Sequence, residues 1–143
     1  MGDSKINIKL RNIELHEFAI FEEEDITVYK ELGYQAGFSY SLLEEKKQIE
    51  CLITIELIQE KKIFLKLKAS VAYLIKDDDF KTFRNENSVI IPKILLRVIT
   101  DQSIGTVRGI LFAKLEKTDY NKFYLPLMDI SQIVDQDEVF NID

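Results

Sequence analysis

The chain has little with which to do ordinary catalysis or bind metal. Its 143 residues include one cysteine and one histidine. That is too few for a Cys/His zinc site. A single cysteine also excludes an intramolecular disulfide framework, which fits a reducing compartment. There is no basic arm: 19 Lys and Arg stand against 25 Asp and Glu, a net charge of −6. Duplex nucleic acid needs clustered cations to neutralise phosphate, so nucleic acid is not an expected partner. No apolar run approaches the roughly 20 residues that span a bilayer. The opening Met-Gly-Asp-Ser-Lys-Ile lacks a secretory apolar core, and Ile6 stands where a myristoylation signal has Ser or Thr. The expected compartment is the cytoplasm, with no membrane insertion.

Alanine is scarce too, with only five residues, while Ile, Leu, Val and Phe number 20, 16, 7 and 9, together 52 of 143. That apolar content suffices for a core without disulfides or metals, and the length fits one domain spanning residues 1–143. Branched side chains in place of alanine favour sheet, because they fit the pleat and lose rotamer freedom in a helix.

The pattern bears this out along the chain. Ile63, Leu65, Leu67, Ala69, Val71, Tyr73 and Ile75 alternate with Lys62, Lys66, Lys68, Ser70 and Lys76, the period of a strand with one buried face. Residues 49–58 and 34–42 alternate likewise. The connectors Glu44-Glu45-Lys46-Lys47 and Glu60-Lys61 are short and charged, so the three strands form an antiparallel meander. The N-terminal segment slips phase: Ile6, Ile8 and Leu10 are even, Ile13 and Leu15 odd, Phe18 and Ile20 even again. It reads as one long bent strand or two short ones, since only a bulge can absorb such a slip. An acidic run from Glu22 to Asp25 opens a crossing loop that ends near Gly33.

Beyond Ile75 a polar connector runs to Ser88. The spacing of Ile91, Ile94, Leu95, Val98, Ile99, Val107, Ile110, Leu111 and Leu115 then predicts a helix from about Val89, capped by Asn87 or Ser88, with Pro92 in its first turn. Residues 123–127 read as extended, Asp129 to Val134 as a short helix, and 135–143 as a loose acidic tail. The fold class is α+β: a four-stranded antiparallel sheet in the order β-β-β-β-α-α, with a long helix and a short C-terminal helix over one face.

The chemical candidates are sparse. His16 reads as a solvent-facing strand residue and Cys51 as a small core hydrophobe; a Cys51–His16 dyad lacks any nucleophile motif around either residue. The acidic runs lack calcium-loop spacing, and Gly105 to Gly109 is no phosphate loop. No cofactor is expected. Arg108 reads as a residue bonded within its own chain or as a subunit contact, with Gly105 and Gly109 beside it marking close packing. The nominally wet side of the strands carries Leu52, Ile58, Phe64 and Leu74; a contiguous apolar patch there would mark an interaction surface.

Three stretches carry a family resemblance: Ile91-Pro92-Lys93-Ile94-Leu95-Leu96, then Val107-Arg108-Gly109, then Leu125-Pro126-Leu127-Met128-Asp129-Ile130. Together with the element order, they resemble the SecB-like export chaperones across residues 5–134. The chain departs from better-known members in having Leu96 and Arg97 where they carry a second proline, and in a longer stretch from Gly109 to Pro126. The family's acidic docking residues for the SecA motor have no counterpart assignable here. The resemblance implies a cytosolic holdase without ATP or enzymatic activity. It implies a homodimer or homotetramer with unfolded or partly folded proteins, and a SecA-type translocation motor, as partners. Clients would lie in apolar grooves, with Tyr29, Tyr34, Leu52, Ile58, Phe64 and Leu74 as the candidate contacts. The alternative is a dedicated chaperone or adaptor for one partner, such as an antitoxin.

Overall fold

The structure is a computed structural model that describes residues 7–21 and 25–142. Ile6, Glu22, Glu23, Glu24 and the C-terminal Asp143 lie outside the described residues. Four long strands form one antiparallel sheet: β1 (Ile8–Ile20), β2 (Gly33–Leu43), β3 (Gln48–Gln59) and β4 (Lys62–Ile75). Their spatial order is β1-β4-β3-β2. The meander β2-β3-β4 is as expected, and the crossing loop carries the chain from one edge strand to the other. A two-residue turn, Glu60-Lys61, joins β3 to β4 with both residues at positive φ, the backbone twist that best matches a right-handed hairpin.

The phase slips of β1 are two bulges. Its pairing with β4 shifts between Leu10 and Asn12 and again between Leu15 and Glu17. Arg11 and His16 are the extra residues, so Ile8, Leu10, Ile13, Leu15, Phe18 and Ile20 all pair with inward-facing residues of β4. One strand of 13 residues thereby keeps its apolar set on one face.

A third irregularity corrects the alternation expected in β4. Leu57 pairs with Leu65 and Ile58 with Ile63, leaving Phe64 as the extra residue. Phe64 therefore turns inward and is fully buried, whereas Ile63 is exposed. The Phe64 ring packs against Tyr120 and Phe123, with centroids 5.6 and 5.2 Å away.

Beyond the sheet the order is richer than β-β-β-β-α-α. The connector after β4 contains a helix, α1 (Asp77–Phe83), with three aspartates in its first turn where they complement the helix dipole. Residues 88–91, expected to open the long helix, are strand β5 (Ser88–Ile91). Pro92 disfavours helical backbone in the residue before it, and Val89 and Ile91 alternate as buried residues. The long helix α2 (Lys93–Leu115) starts after Pro92 and runs through Gly105 and Gly109 without a break. A short helix, α3 (Ile130–Ile133), follows, capped by Asp129. The tail is not loose throughout: β6 (Glu138–Asn141) pairs with β5, and the Asp137 carboxylate accepts the Lys93 N–H at 2.8 Å.

Helix α2 lies over β3 and β4. It buries Leu95, Leu96, Ile99, Ile104, Val107, Leu111 and Leu115 against the odd-numbered residues of β3 and β4. Two arginines eleven residues apart, three turns along α2, hold the C-terminal strip beside it. Arg97 Nε donates to the Val134 carbonyl at 2.9 Å. Arg108 donates to the carbonyls of Leu125 and Pro126 at 3.3 and 3.2 Å.

Candidate functional site

The sheet has two faces of different chemistry. The uncovered face is polar. A shallow depression of about 400 Å3 there is lined in part by Glu17, Gln35, Gly37, Thr54, Glu56, Lys66 and Lys68. Lys66 and Glu56 pair at 3.6 Å. Leu52, Ile58 and Leu74 do not meet: Leu52 lies between Ser39 and Ser70, Ile58 beside the β3-β4 turn, and Leu74 against Gln48 at the other end. Phe64 is withdrawn into the core. The structure thus does not build an apolar groove from these four residues, because cross-strand neighbours, and not sequence spacing, decide which side chains share a patch.

His16 sits on this polar face. Its Nε2 lies 2.8 Å from Ser70 Oγ and its Nδ1 3.5 Å from Glu14 Oε2. The order serine, histidine, carboxylate invites comparison with a hydrolytic triad. However, Ser70 is buried between two paired strands, which leaves no free pair of backbone N–H groups to hold an oxyanion. Cys51 is on the opposite, helix-covered face and fully buried, so it forms no dyad with His16. Burial pushes its thiol up to about 12, which keeps it protonated and unreactive. Among the described residues, no group of three His, Cys, Asp or Glu side chains is placed to hold a metal.

The helix-side face is apolar, and α2 covers only its middle. In β2, Tyr34, Ala36, Phe38, Tyr40 and Leu42 pair with inward-facing residues of β3 and are only partly buried or, for Tyr34, exposed. Tyr40 is tied to α2 through its hydroxyl and Thr100 Oγ1, 2.5 Å apart, and Tyr73 likewise to Ser103 at 2.8 Å. Burial raises both phenols above the usual range.

The crossing loop closes the β3-β4 end of this face. Ile26 and Leu32 pack on the core, while Tyr29 is 94% exposed and Val28 is exposed beside it. Tyr34 follows at the start of β2, so Tyr29 and Tyr34 share one end of the sheet. The charge-free edge strand leading away from them escaped the sequence reading. Gly33–Leu43 contains no Lys, Arg, Asp, Glu, His or Pro, a signal that needs only to be counted. The strand pairs with β3 without a register shift, and its other edge has no strand partner among the described residues.

Arg108, read either as bonded within its own chain or as a subunit contact, donates to Leu125 and Pro126 of its own chain. Gly105 and Gly109 are exposed, and a Cβ built on either meets nothing within 4 Å. They mark no close packing within this chain. They lie on the outer stripe of α2 with Ile94, Val98 and Phe112, each about half exposed or more. Phe112 stacks on Tyr124, with centroids 6.4 Å apart, and Leu127 is 90% exposed.

No helix of the described residues is long and apolar enough to cross a membrane. No family model and no curated protein matches this sequence. Among solved structures, the chain is similar to the SecB-like chaperone Rv1957 of Mycobacterium tuberculosis, solved in complex with a ChAD peptide from the HigA1 antitoxin Rv1956. The two share 6% identity and superpose with a TM-score of 0.53 over 85% of this chain and 91% of that one. An antiparallel four-stranded sheet under a long helix, with this topology and at this divergence, gives the chain the fold of a SecB-like chaperone.

Proposed function

We propose that the protein is an ATP-independent chaperone that binds extended apolar segments of non-native polypeptides. The segment would lie along the open edge of β2 and beside Tyr29 of the crossing loop. The observation that carries this reading is the uncharged, unbulged edge of Gly33–Leu43. Soluble proteins ordinarily blunt such an edge with charge, proline or a bulge, because its free N–H and C=O groups template another strand. An extended client added there gains main-chain hydrogen bonds, while its alternate side chains reach the partly open row of Tyr34, Ala36, Phe38, Tyr40 and Leu42. The negative net charge keeps a protein with such a surface dispersed. Suppression of aggregation of several denatured test proteins, at near-stoichiometric ratio and without ATP, is the expected result. No suppression of any of them removes the general reading.

One solved structure of similar fold is a chaperone in complex with an antitoxin peptide, which favours a second reading: a chaperone or adaptor dedicated to one partner. It predicts tight binding to that partner and none to the general clients. Under either reading, the cytoplasm is the place of action. Delivery to a SecA-type motor belongs to the export version and predicts co-sedimentation of the two proteins.

Homodimers or homotetramers fit the outer stripe of α2, where Gly105 and Gly109 allow close approach between flanking Ile94, Val98 and Phe112. Light scattering of Gly105→Leu against the native chain reads this directly. A smaller particle supports the stripe as a contact, and an unchanged one removes it. Arg108→Ala is expected to leave the assembly intact.

A further inference from the structure

We propose that Gln59 is the positioning residue of the client surface: its buried amide holds the crossing loop so that Tyr29 is presented in one place before any polypeptide arrives. The proposal rests on the chaperone reading above.

Gln59 is the last residue of β3 and is 1% exposed. A glutamine amide has two donors and an oxygen with two lone pairs. Here Oε1 accepts the Thr27 N–H at 3.0 Å, and Nε2 donates to the carbonyls of Thr27 at 2.6 Å and Lys30 at 3.2 Å. All three bonds go to main-chain groups on either side of Val28 and Tyr29. The loop also turns on itself, with the Lys30 N–H donating to the Thr27 carbonyl at 3.3 Å.

The neighbours of Gln59 reinforce the clamp with charge. Lys30 Nζ reaches Glu60 at 3.2 Å and the Asp25 carbonyl at 3.0 Å, and Lys62 reaches the Asp25 carboxylate at 3.7 Å. These ion pairs are largely exposed and worth little singly. The glutamine is different, because breaking its bonds leaves buried polar groups without partners.

Tyr29, the residue the clamp presents, is almost wholly in water. Three hydrogen bonds from a buried amide, spent on fixing the backbone around an unburied aromatic, are accounted for if the ring's place matters to something outside the chain. Fixing it in advance removes the ordering cost from the binding step.

Gln59→Leu keeps the size and removes all three bonds. Gln59→Glu keeps an acceptor for Thr27 but sets a carboxylate against two carbonyl oxygens, and serves as the second variant should the first not fold. Two measurements on the full chain test the proposal. Hydrogen exchange of the Thr27 and Lys30 amides is expected to rise at least tenfold, with the β3 amide of Ile53 unchanged. Binding is read with a fluorescein-labelled 15-residue peptide of alternating Leu and Ser.

Gln59→Leu is expected to weaken this peptide on the order of tenfold. In a Tyr29→Ala background, the same substitution is expected to change the affinity less than twofold. Unchanged loop exchange overturns the clamp. Full additivity of Gln59→Leu and Tyr29→Ala overturns the positioning role and leaves a structural one. A native chain that binds neither this peptide nor any denatured protein overturns the chaperone reading itself, while the exchange result still decides the clamp.

Discussion

The two edges of the sheet are built to opposite specifications. β1 carries Lys9, Arg11, Glu14 and Glu17 in its 13 residues and is broken by two bulges. β2 runs 11 residues with neither charge nor bulge. Charge and bulges are the usual means of stopping a strand edge from recruiting another. One edge of this protein is protected and the other is left open, on the same sheet and at similar length. The contrast teaches that the open edge is not a by-product of an apolar chain. The same sequence that supplied four charges to β1 supplied none to β2.

The largest way to disturb this contrast is through the bulge in β4. Phe64 holds Tyr120 and Phe123 on one side, and its carbonyl accepts the Phe21 N–H at 2.7 Å just past the end of β1. Phe64→Ala is expected to cost about 3–5 kcal/mol in chemical denaturation. Exchange should rise first at the Ile20 end of β1, with β2 still protected. Uniform loss across both edges would mean that the bulge serves the whole core and not one edge.

The sharper test places a charge on the open edge. Ser39→Lys is expected to weaken client peptide binding on the order of tenfold, with stability changed by less than about 0.5 kcal/mol because the position is exposed. Asn12→Lys on the already charged edge should leave binding alone. Equal losses at both sites would reduce the effect to net charge.

The converse experiment makes β1 resemble β2. Deleting His16 removes a bulge while Leu15 and Glu17 keep their partners Ala69 and Lys68. The shortened strand is expected to lose about 1 kcal/mol through the unpartnered Ser70 hydroxyl. It should also show concentration-dependent self-association in sedimentation. A deletion variant that remains as dispersed as the native chain would show that charge alone guards β1.

At neutral pH the smallest expected effect, visible only in alkaline solution, concerns the core between the edges. The Cys51 thiol is raised by burial to about 12 from an ordinary 9.0, and the phenols of Tyr40 and Tyr73 are raised too. A raised folded value means that the unfolded chain loses its proton first. The stability that the Cys51 thiol contributes is intact below pH 9 and is lost as the pH climbs toward 12, by up to about 1.4 kcal/mol per pH unit, and the two phenols act in the same direction above their ordinary 10.0. Cys51→Ala should flatten the slope of stability against pH between about 9 and 12. An unchanged slope would leave the two tyrosines, tied to Thr100 and Ser103, as its source.

Much of the fold was legible because burial on one face imposes a period. Alternation located β2, β3 and β4 to within a residue or two, and the even-odd-even drift of Ile8, Ile13 and Phe18 announced the bulged β1. The pattern failed where one residue changes phase. Phe64 looked outward because nothing local marks the bulge that turns it inward. Val89 to Ile91 looked helical because Ile91, Ile94 and Leu95 satisfy a helical spacing that Pro92 interrupts. The tail looked loose because β6 becomes a strand only through β5, about 50 residues earlier. The candidate site was partly legible. Tyr29 and Tyr34 lie toward one end of the sheet, whereas Leu52, Ile58 and Leu74 are scattered over the polar face, and Arg108 bonds to its own chain.

The sequence by itself determined the side of each regular strand, the absence of charge on Gly33–Leu43, and the poverty of catalytic groups, since these follow from residue type and local spacing. Only the tertiary structure decided that this uncharged strand lies at an edge. Edge and centre differ in what pairs with a strand, not in what composes it. The same holds for Gln59, a polar residue closing a strand, which becomes a clamp only because the crossing loop returns over it and offers three backbone groups to its buried amide.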